Sequence, residues 1–351
     1  MAITINPFGF AALTTAVNQM KPVPSFIKDL LFGRVEPFAT KTVLVDVIIG
    51  GQKIAPLVKR GNPAKVMGNL GQKTNQVEPP EIRMKKLLKP DDLYYTRGAN
   101  APIFVAGGAA GVDPIMQARQ QRIAQEQKDM RDIADRTIEY LCAKGLSGSY
   151  SIAQDDGTFA IDFSMPANNK PDITGIAANK WDAPTTCKPL KNLRTWKLVA
   201  QQASGKVPTA VIMSPATWEN FFVSDEVVKY LNALKINIGQ VQTDPRILSG
   251  GAEKKATIEN LDIYVYSGVY VDANGATQQL IPDGYVSMVS PTADHRLQFA
   301  GVDDLEAGTV VGQYFSKDWV EKDPSGLWLL VETHPLPTFN EPAANIWAKV
   351  F

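Results

Sequence analysis

The amino-acid sequence predicts an α+β fold, in which one long helix is accompanied by several short strands. Three observations lead to this prediction. Residues 113–144 have the composition and periodicity of a single helix, residues 42–49 are rich in β-branched side chains, and a compact alternation of helices and strands begins at Leu190. A chain of 351 residues can bury more than one core, so two or three units are expected.

The long helix is delimited by its own sequence. Asp113-Pro114 is a typical N-cap and first helical position, and Gly145 is expected to end the helix in the left-handed conformation. At 1.5 Å per residue the helix is about 48 Å long. Its apolar stripe consists of Met116, Ile123, Met130, Ile133, Ala134, Ile138 and Leu141. Its charged side consists of Arg119, Arg122, Lys128, Arg131, Asp132 and Arg136. We call this segment the spine helix and expect it to lie along a sheet or a neighbouring subunit.

The segments before the spine helix cannot form a core of their own. Residues 1–40 contain four prolines and one short helical stretch, Ser25–Phe32, so they are predicted to be an arm that packs on something else. Residues 50–88 are predicted to form a long hairpin with limbs Lys53–Met67 and Gln72–Leu88 and a turn at Gly68–Gly71. An isolated two-stranded ribbon is marginally stable in water, so this hairpin needs a partner surface.

The hairpin also carries a local excess of positive charge, although the formal net charge of the chain is zero. Residues 53–97 contain ten basic and four acidic side chains. A solvated surface and an interface are about equally compatible with this excess, whereas nucleic-acid binding is disfavoured because aromatic side chains are scarce there. The candidate inter-subunit contacts are Lys53, Lys59, Arg60, Lys65, Lys73, Arg83, Lys85 and Lys86.

After the spine helix the pattern becomes regular. Short strands are predicted at 148–153 and 158–163, helices at 193–203, 215–222 and 225–234, and strands at 207–213, 261–267 and 285–289. A hairpin is predicted at 268–280 around Ala273-Asn274-Gly275. Residues 297–313 and 327–334 are predicted to be extended, and the latter lead into a proline-rich tail.

Chemical motifs are scarce, and we predict no catalytic residue, no cofactor and no metal site. The Gly-rich segment 105–112 lacks the Lys-Ser/Thr of a P-loop and the spacing of a dinucleotide fingerprint. His295, expected in a loop, and His334, expected at a strand end, belong to no metal-ligand spacing such as His-x-x-x-His. Cys142 and Cys187 are too few for a disulfide framework. With no signal peptide and no apolar run of bilayer length, a reducing cytoplasm is the expected compartment.

Several segments resemble a known family when they are taken in order. Residues 36–43 (Glu-Pro-Phe-Ala-Thr-Lys-Thr-Val) and 54–58 (Ile-Ala-Pro-Leu-Val) are similar to the family's first strand and extended loop. Residues 266–271 (Tyr-Ser-Gly-Val-Tyr-Val) and 280–283 (Leu-Ile-Pro-Asp) are the most distinctive pair. Lys-Asp-Trp at 317–319, Asp323-Pro324 and a Pro-Leu-Pro tail complete the set. The chain resembles the lambda-type major head proteins of tailed bacteriophages, which have the Hong Kong 97-type capsid fold.

The resemblance implies a division of the chain into six segments. These are an N-terminal arm at 1–41, a peripheral-domain strand at 42–50, an extended hairpin loop at 51–90, a peripheral domain with the spine helix at 91–185, an axial domain at 186–300, and a return to the peripheral domain with the C-terminal tail at 301–351.

The same resemblance implies partners and a location. The chain would assemble with itself as hexamers and pentamers into an icosahedral, or sometimes prolate, shell around double-stranded DNA, which it would contact non-specifically at the inner surface. A scaffolding protein, a portal and a decoration protein are the further partners. Assembly would take place in the cytoplasm of the host bacterium, without a membrane and without covalent cross-linking. The alternatives are a non-viral ring- or shell-forming protein and an α/β enzyme using the Gly107–Gly111 loop.

The basic hairpin leads to a testable prediction. If its charge serves an interface, replacing Lys59 and Arg60 by Glu should impair assembly or make it strongly salt-dependent, while the helical circular dichroism stays unchanged. One exposed ion pair contributes only about 0.2–1 kcal/mol and is screened by salt, but the contact repeats at every subunit of a shell. Assembly of the double variant at low salt as efficient as that of the parent would show that these two side chains are merely solvated.

Overall fold

A computed structural model describes residues 10–49, 71–89, 114–154, 157–238, 246–247, 250–272 and 274–351. The first limb of the predicted hairpin, the Gly-rich segment 105–112 and Asp113 lie outside these residues. The helices are α1 (Phe10–Gln19), α2 (Phe26–Leu31), α3 (Pro114–Gly145), α4 (Pro189–Ser204), α5 (Pro215–Val223) and α6 (Asp225–Ile238).

The strands before the α/β unit are β1 (Arg34–Pro37), β2 (Val43–Ile49), β3 (Gly71–Val77), β4 (Ile82–Leu88), β5 (Ser149–Gln154) and β6 (Gly157–Asp162). Those from there to the end of the chain are β7 (Ala210–Met213), β8 (Arg246–Ile247), β9 (Ala252–Ile258), β10 (Leu261–Tyr266), β11 (Val269–Val271), β12 (Thr277–Gln279), β13 (Tyr285–Val289), β14 (His295–Phe299), β15 (Val302–Asp304), β16 (Gly308–Val310), β17 (Phe315–Lys322), β18 (Ser325–Thr333), β19 (Pro335–Phe339) and β20 (Ile346–Lys349).

The spine helix is confirmed as α3, and most of its apolar stripe is buried. Its buried members within the described side chains are Ile123, Met130, Ala134, Ile138 and Leu141. Ile133 was wrongly assigned to the stripe, since its side chain is 48% exposed. At 3.6 residues per turn Ile133 lies roughly 90° around the helix from the centre of the other five, which places it beyond the covered surface.

The end of the spine helix differs from the prediction. Gly145 is the last helical residue, and the left-handed glycine is Gly148, at φ 80°. Gly145 is needed for a different reason: a Cβ atom at this position would lie 2.3 Å from the ring of Phe339. The glycine therefore allows strand β19 to approach the helix closely.

The predicted second hairpin limb, Gln72–Leu88, is two strands with different partners. β3 pairs antiparallel with β2, whereas β4 pairs antiparallel with β18, in a three-stranded sheet of order β17-β18-β4. Pro79 and Pro80 separate the two strands, and prolines cannot donate the hydrogen bonds that would continue one ladder. Strand β4 thereby belongs to the sheet that the spine helix covers.

A second core forms in the α/β unit. Its six-stranded sheet has the order β20-β13-β7-β10-β9-β8, with β7 and β10 parallel and the other neighbours antiparallel. Helix α5 begins as predicted, with Ser214 accepting a hydrogen bond from the backbone of Thr217. The buried side chains of this core include Trp181, Leu193, Trp196 and Phe221.

The proline-rich tail is not an irregular segment. Strand β19 is entirely buried and pairs with β14 in the sheet β1-β14-β19, and β20 forms an edge of the six-stranded sheet. Prolines 335 and 337 are tolerated because β19 is an edge strand, whose outer side needs no ladder donors. The last seventeen residues thus contribute to both cores.

The burial of the stripe predicts what truncation of the spine helix will do. Ile123→Ala and Met130→Ala remove side chains that are 4% and 5% exposed, so each should lower the free energy of unfolding by about 2–5 kcal/mol. Denaturant unfolding of the variants measures this. Ile133→Ala is the matched control on the same helix and should change the stability by less than about 0.5 kcal/mol. Equal, small effects at all three positions would mean that the stripe is not a core face.

Candidate functional site

The eight basic candidates for subunit contacts divide into two groups. Lys53, Lys59, Arg60 and Lys65 lie outside the described residues. The other four, Lys73, Arg83, Lys85 and Lys86, lie on β3 and β4 and are exposed to solvent.

Each of these four has a partner within its own chain. Lys73 Nζ donates to Ser164 Oγ at 3.1 Å, and Arg83 Nε lies 3.1 Å from Glu332 Oε2. Lys85 Nζ lies 5.1 Å from the centre of the Trp328 ring, within cation–π range. Lys86 Nζ pairs with Glu126 of the spine helix. Their role between subunits therefore stays a prediction.

The spine helix has a second buried face, which the sequence did not indicate. Arg131 was assigned to the charged side of the helix, but it is only 4% exposed, and Asp135 and Glu139 are buried as well. These three residues follow one another at intervals of four and therefore form one row along the helix. The row faces residues 20–28 of the N-terminal segment.

Glu139 is the strongest link in this row. Its Oε1 accepts from the backbone N–H of Ile27 at 2.7 Å and its Oε2 from that of Lys28 at 2.9 Å. Both amides belong to the first turn of α2, where backbone donors have no partner inside the helix and favour an anion. The Tyr266 hydroxyl also donates to Oε1, at 3.0 Å. Burial raises the pKa of Glu139 above its usual value, while the three hydrogen bonds act in the opposite direction.

Asp135 and Arg131 hold the chain just before α2. The backbone N–H of Val23 donates to Asp135 Oδ2 at 3.1 Å, and the Tyr314 hydroxyl donates to Oδ1. Arg131 donates to the carbonyl oxygen of Met20, and its guanidinium lies 5.2 Å from the centre of the Tyr314 ring. Burial and the Asp135 carboxylate raise the pKa of Tyr314, so this phenol is a donor at neutral pH. A buried charge needs such partners to be tolerated.

Three exposed apolar side chains lie close together in the sequence at the junction of α5 and α6. Phe222, Val223 and Val228 are 47%, 60% and 41% exposed, although they lie within seven residues of one another. The Phe222 ring stacks on Trp218 at 5.6 Å, which holds it in place. We call these three side chains the α5–α6 patch. Single exposed apolar residues are common on protein surfaces, but adjacent ones mark candidate contact surfaces.

The histidines and cysteines are buried rather than arranged around a cleft. His295 is the first residue of β14 and not part of a loop as predicted; its ring lies 5.0 Å from that of Phe339, and burial lowers its pKa to about 4. His334 directly follows β18, as expected for a strand end. Cys142 is fully buried in the spine helix, where burial raises the pKa of its thiol well above the usual value. None of the described helices is long and apolar enough to span a membrane.

Comparison with known proteins identifies the family of the chain. The family described as phage major capsid protein E matches residues 9–350. The chain belongs to this family. The major capsid protein of Escherichia phage lambda is 22% identical over 327 residues, which span 91% of this chain and 92% of the lambda protein. That of Enterobacteria phage P21 is 23% identical over 335 residues, spanning 92% and 93%.

Solved structures agree with the family. A putative capsid protein of a prophage from E. coli CFT073 superposes with a TM-score of 0.70 at 14% identity, covering 98% of this chain and 99% of that one. A chain of the cyanophage A-1(L) capsid gives 0.50 at 10% identity, covering 95% and 94%. The α+β, Hong Kong 97-type capsid fold expected from the sequence is confirmed, and so is the function as a phage major capsid protein, a structural component of the virion.

The row of buried charges in this capsid protein leads to a prediction. Glu139→Ala leaves two backbone N–H groups of α2 and the Tyr266 hydroxyl without their acceptor, so the free energy of unfolding should fall by at least about 2 kcal/mol. Limited proteolysis should also cleave residues 20–33 faster. Asp129→Ala, which removes an exposed acid from the same helix, should change neither measurement. Unchanged proteolysis in Glu139→Ala would show that the N-terminal segment is held by its apolar contacts alone.

Proposed function

We propose that this capsid protein assembles as pentamers and hexamers that close into an icosahedral shell around the double-stranded DNA of a phage. The observation that carries the proposal is the exposed α5–α6 patch on the α/β unit. The subunit leaves these three apolar side chains in water, and burying them against a neighbour would be favourable by about 25 cal/mol for each Å² of apolar surface covered.

The six segments inferred from the sequence give the patch a place in this proposal. The α/β unit corresponds to the axial domain, residues 186–300, which would meet its copies at the centre of each capsomer. The peripheral domain, residues 91–185 with the return at 301–351, would carry the spine helix. The arm at 1–41 and the hairpin loop at 51–90, together with the strand at 42–50, would reach neighbouring subunits. The two buried cores, one around the spine helix and one in the α/β unit, support two main domains, but strand β20 of the return segment lies in the sheet of the α/β unit.

The partners of the shell follow from the same proposal. The basic side chains of the hairpin, from Lys53 to Lys86, would meet acidic surfaces of adjacent subunits. A scaffolding protein, a portal and a decoration protein would act during and after assembly in the host cytoplasm, and the inner surface would contact DNA non-specifically. Because Arg83 and Lys86 already pair with Glu332 and Glu126, any acidic partner from a neighbour would share these cations with the subunit's own carboxylates.

The α5–α6 patch provides the test. The double variant Val223→Glu and Val228→Glu places two charges in the proposed capsomer contact and should abolish particles in negative-stain electron microscopy and sedimentation velocity, while the far-ultraviolet circular dichroism stays that of the parent. Leu198→Glu is the control, since Leu198 is 52% exposed on α4 of the same unit.

Two outcomes would contradict the proposal. If the parent protein stays monomeric at high concentration, the proposed assembly into a shell is wrong. If the double variant forms particles as readily as the parent and as Leu198→Glu, the α5–α6 patch is not a capsomer contact.

A further inference from the structure

Three charged side chains and one histidine lie on one face of the ribbon formed by β4 and β18. The register pairs Arg83 with Glu332 and Ile82 with Thr333. Side chains two residues apart on a strand point to the same face, so Glu81 joins Arg83 and His334 joins Glu332. Thr333, between the latter two, points away and donates to the carbonyl oxygen of Gln313.

Three of these side chains bring metal-ligand atoms together. A carboxylate oxygen of Glu81, one of Glu332 and a ring nitrogen of His334 all lie within 4.8 Å of one another. Glu332 and His334 are 5% and 8% exposed, whereas Glu81 is exposed to solvent. The site is therefore walled by the protein on one side and open to ions from solution on the other, where the Glu81 carboxylate can rotate inward.

Groups outside the three orient the buried ligands. His334 Nδ1 lies 3.2 Å from the carbonyl oxygen of Gly301, which only accepts, so Nδ1 carries a proton and Nε2 is directed at Glu332 Oε1, 3.1 Å away. Arg83 Nε lies 3.1 Å from the other oxygen, Oε2, and fixes the Glu332 carboxylate. A histidine whose second nitrogen donates to a backbone carbonyl, beside a hydrogen-bonded carboxylate, is the usual arrangement around protein-bound transition metals.

We propose that Glu81, Glu332 and His334 bind one divalent transition-metal ion of the Zn²⁺ class. Two carboxylates and one imidazole supply three ligands and leave a position for water. The imidazole nitrogen favours borderline ions over Mg²⁺ and Ca²⁺, which prefer oxygen ligands only.

The ion would lie between His334 Nε2 and Glu332 Oε1, which are 3.1 Å apart, and both atoms would be ligands. The bound ion would connect the residue before β4 with the end of β18, and through His334 with the segment at Gly301. It would thus fasten the strand that returns from the hairpin loop to the sheet beneath the spine helix.

The sequence predicts no metal site because it lacks a His-x-x-x-His spacing, which places two ligands on one face of a helix. On a strand the spacing that places two ligands on one face is two, as in Glu332-Thr-His334, and the third ligand comes from the paired strand. The prediction of this site therefore requires the β4–β18 register.

Isothermal titration calorimetry of the purified full-length protein with ZnCl₂ tests the proposal. We expect one saturable Zn²⁺ per chain. MgCl₂ and CaCl₂ at the same concentration should give no saturable binding. Absence of a saturable site for Zn²⁺, or equal binding of Mg²⁺, would overturn the proposal.

Variants then assign the binding to these residues. Glu81→Gln alters an exposed side chain and should weaken Zn²⁺ binding at least about tenfold, the smallest loss expected even for a residue that only orients a ligand. Glu78→Gln, an exposed acid three residues earlier, should bind like the parent. His334→Gln removes the imidazole ligand and should also weaken Zn²⁺ binding; if that variant fails to fold, Glu81→Gln alone decides. Zn²⁺ binding that is unchanged in Glu81→Gln would place the metal elsewhere and overturn the proposal.

Discussion

The structure depends on three of the buried charged side chains of the spine helix, each of which needs a partner. An ionised group withdrawn from water without a partner costs several kcal/mol, so Arg131, Asp135 and Glu139 are tolerated only where donors and acceptors meet them. Residues 20–28 supply most of these partners, from positions more than one hundred residues earlier in the chain. Residues 20–28 of the N-terminal segment are therefore part of the folded subunit. Their packing on the spine helix stabilises its buried charges, and those charges in turn hold the segment in place.

The same dependence extends to the C-terminal end of the chain. Tyr314, which donates to Asp135, precedes β17, and β17 packs against α1 of the N-terminal segment. Thr14 Oγ1 donates to the carbonyl oxygen of Ser316 at 3.0 Å, and Asn18 Nδ2 to that of Tyr314 at 2.9 Å. The two ends of the chain thus meet on the spine helix. Contacts between residues about 300 positions apart close a long loop, which costs conformational entropy. They form only when both ends of the chain have folded onto the spine helix.

The sequence predicts elements whose signal is local and misses features that depend on a distant partner. The spine helix follows from its composition and its N-terminal proline, and Ser214 marks the start of α5 by its side chain alone. The burial of Arg131 could not be predicted, because a charged side chain on a helix is buried only where another segment packs over it. For Arg131 that segment is residues 20–23. The strand Pro335–Phe339 was not predicted for a similar reason. Proline disfavours a strand unless the strand lies at the edge of a sheet, and only the sheet order shows that β19 does so. The α5–α6 patch is defined by the solvent exposure of its three side chains, which no sequence pattern predicts.

The first segment of the pair 266–271 and 280–283 contacts the same buried carboxylate. Tyr266 ends β10 in the α/β sheet, and its hydroxyl reaches Glu139 of the spine helix. Gly268 follows where a Cβ atom would lie 2.4 Å from the Tyr266 ring and 2.9 Å from Leu280, so a larger residue would displace the tyrosine. Asp283, at the end of the second part of the pair, accepts from Ser214 Oγ at 2.5 Å. Residues 266–268 (Tyr-Ser-Gly) and 280–283 (Leu-Ile-Pro-Asp) flank the hairpin formed by β11 and β12. The first segment connects the α/β unit to the spine helix, and the second contacts the start of α5, the helix that bears the exposed patch. The two cores are thereby joined by packed side chains and hydrogen bonds.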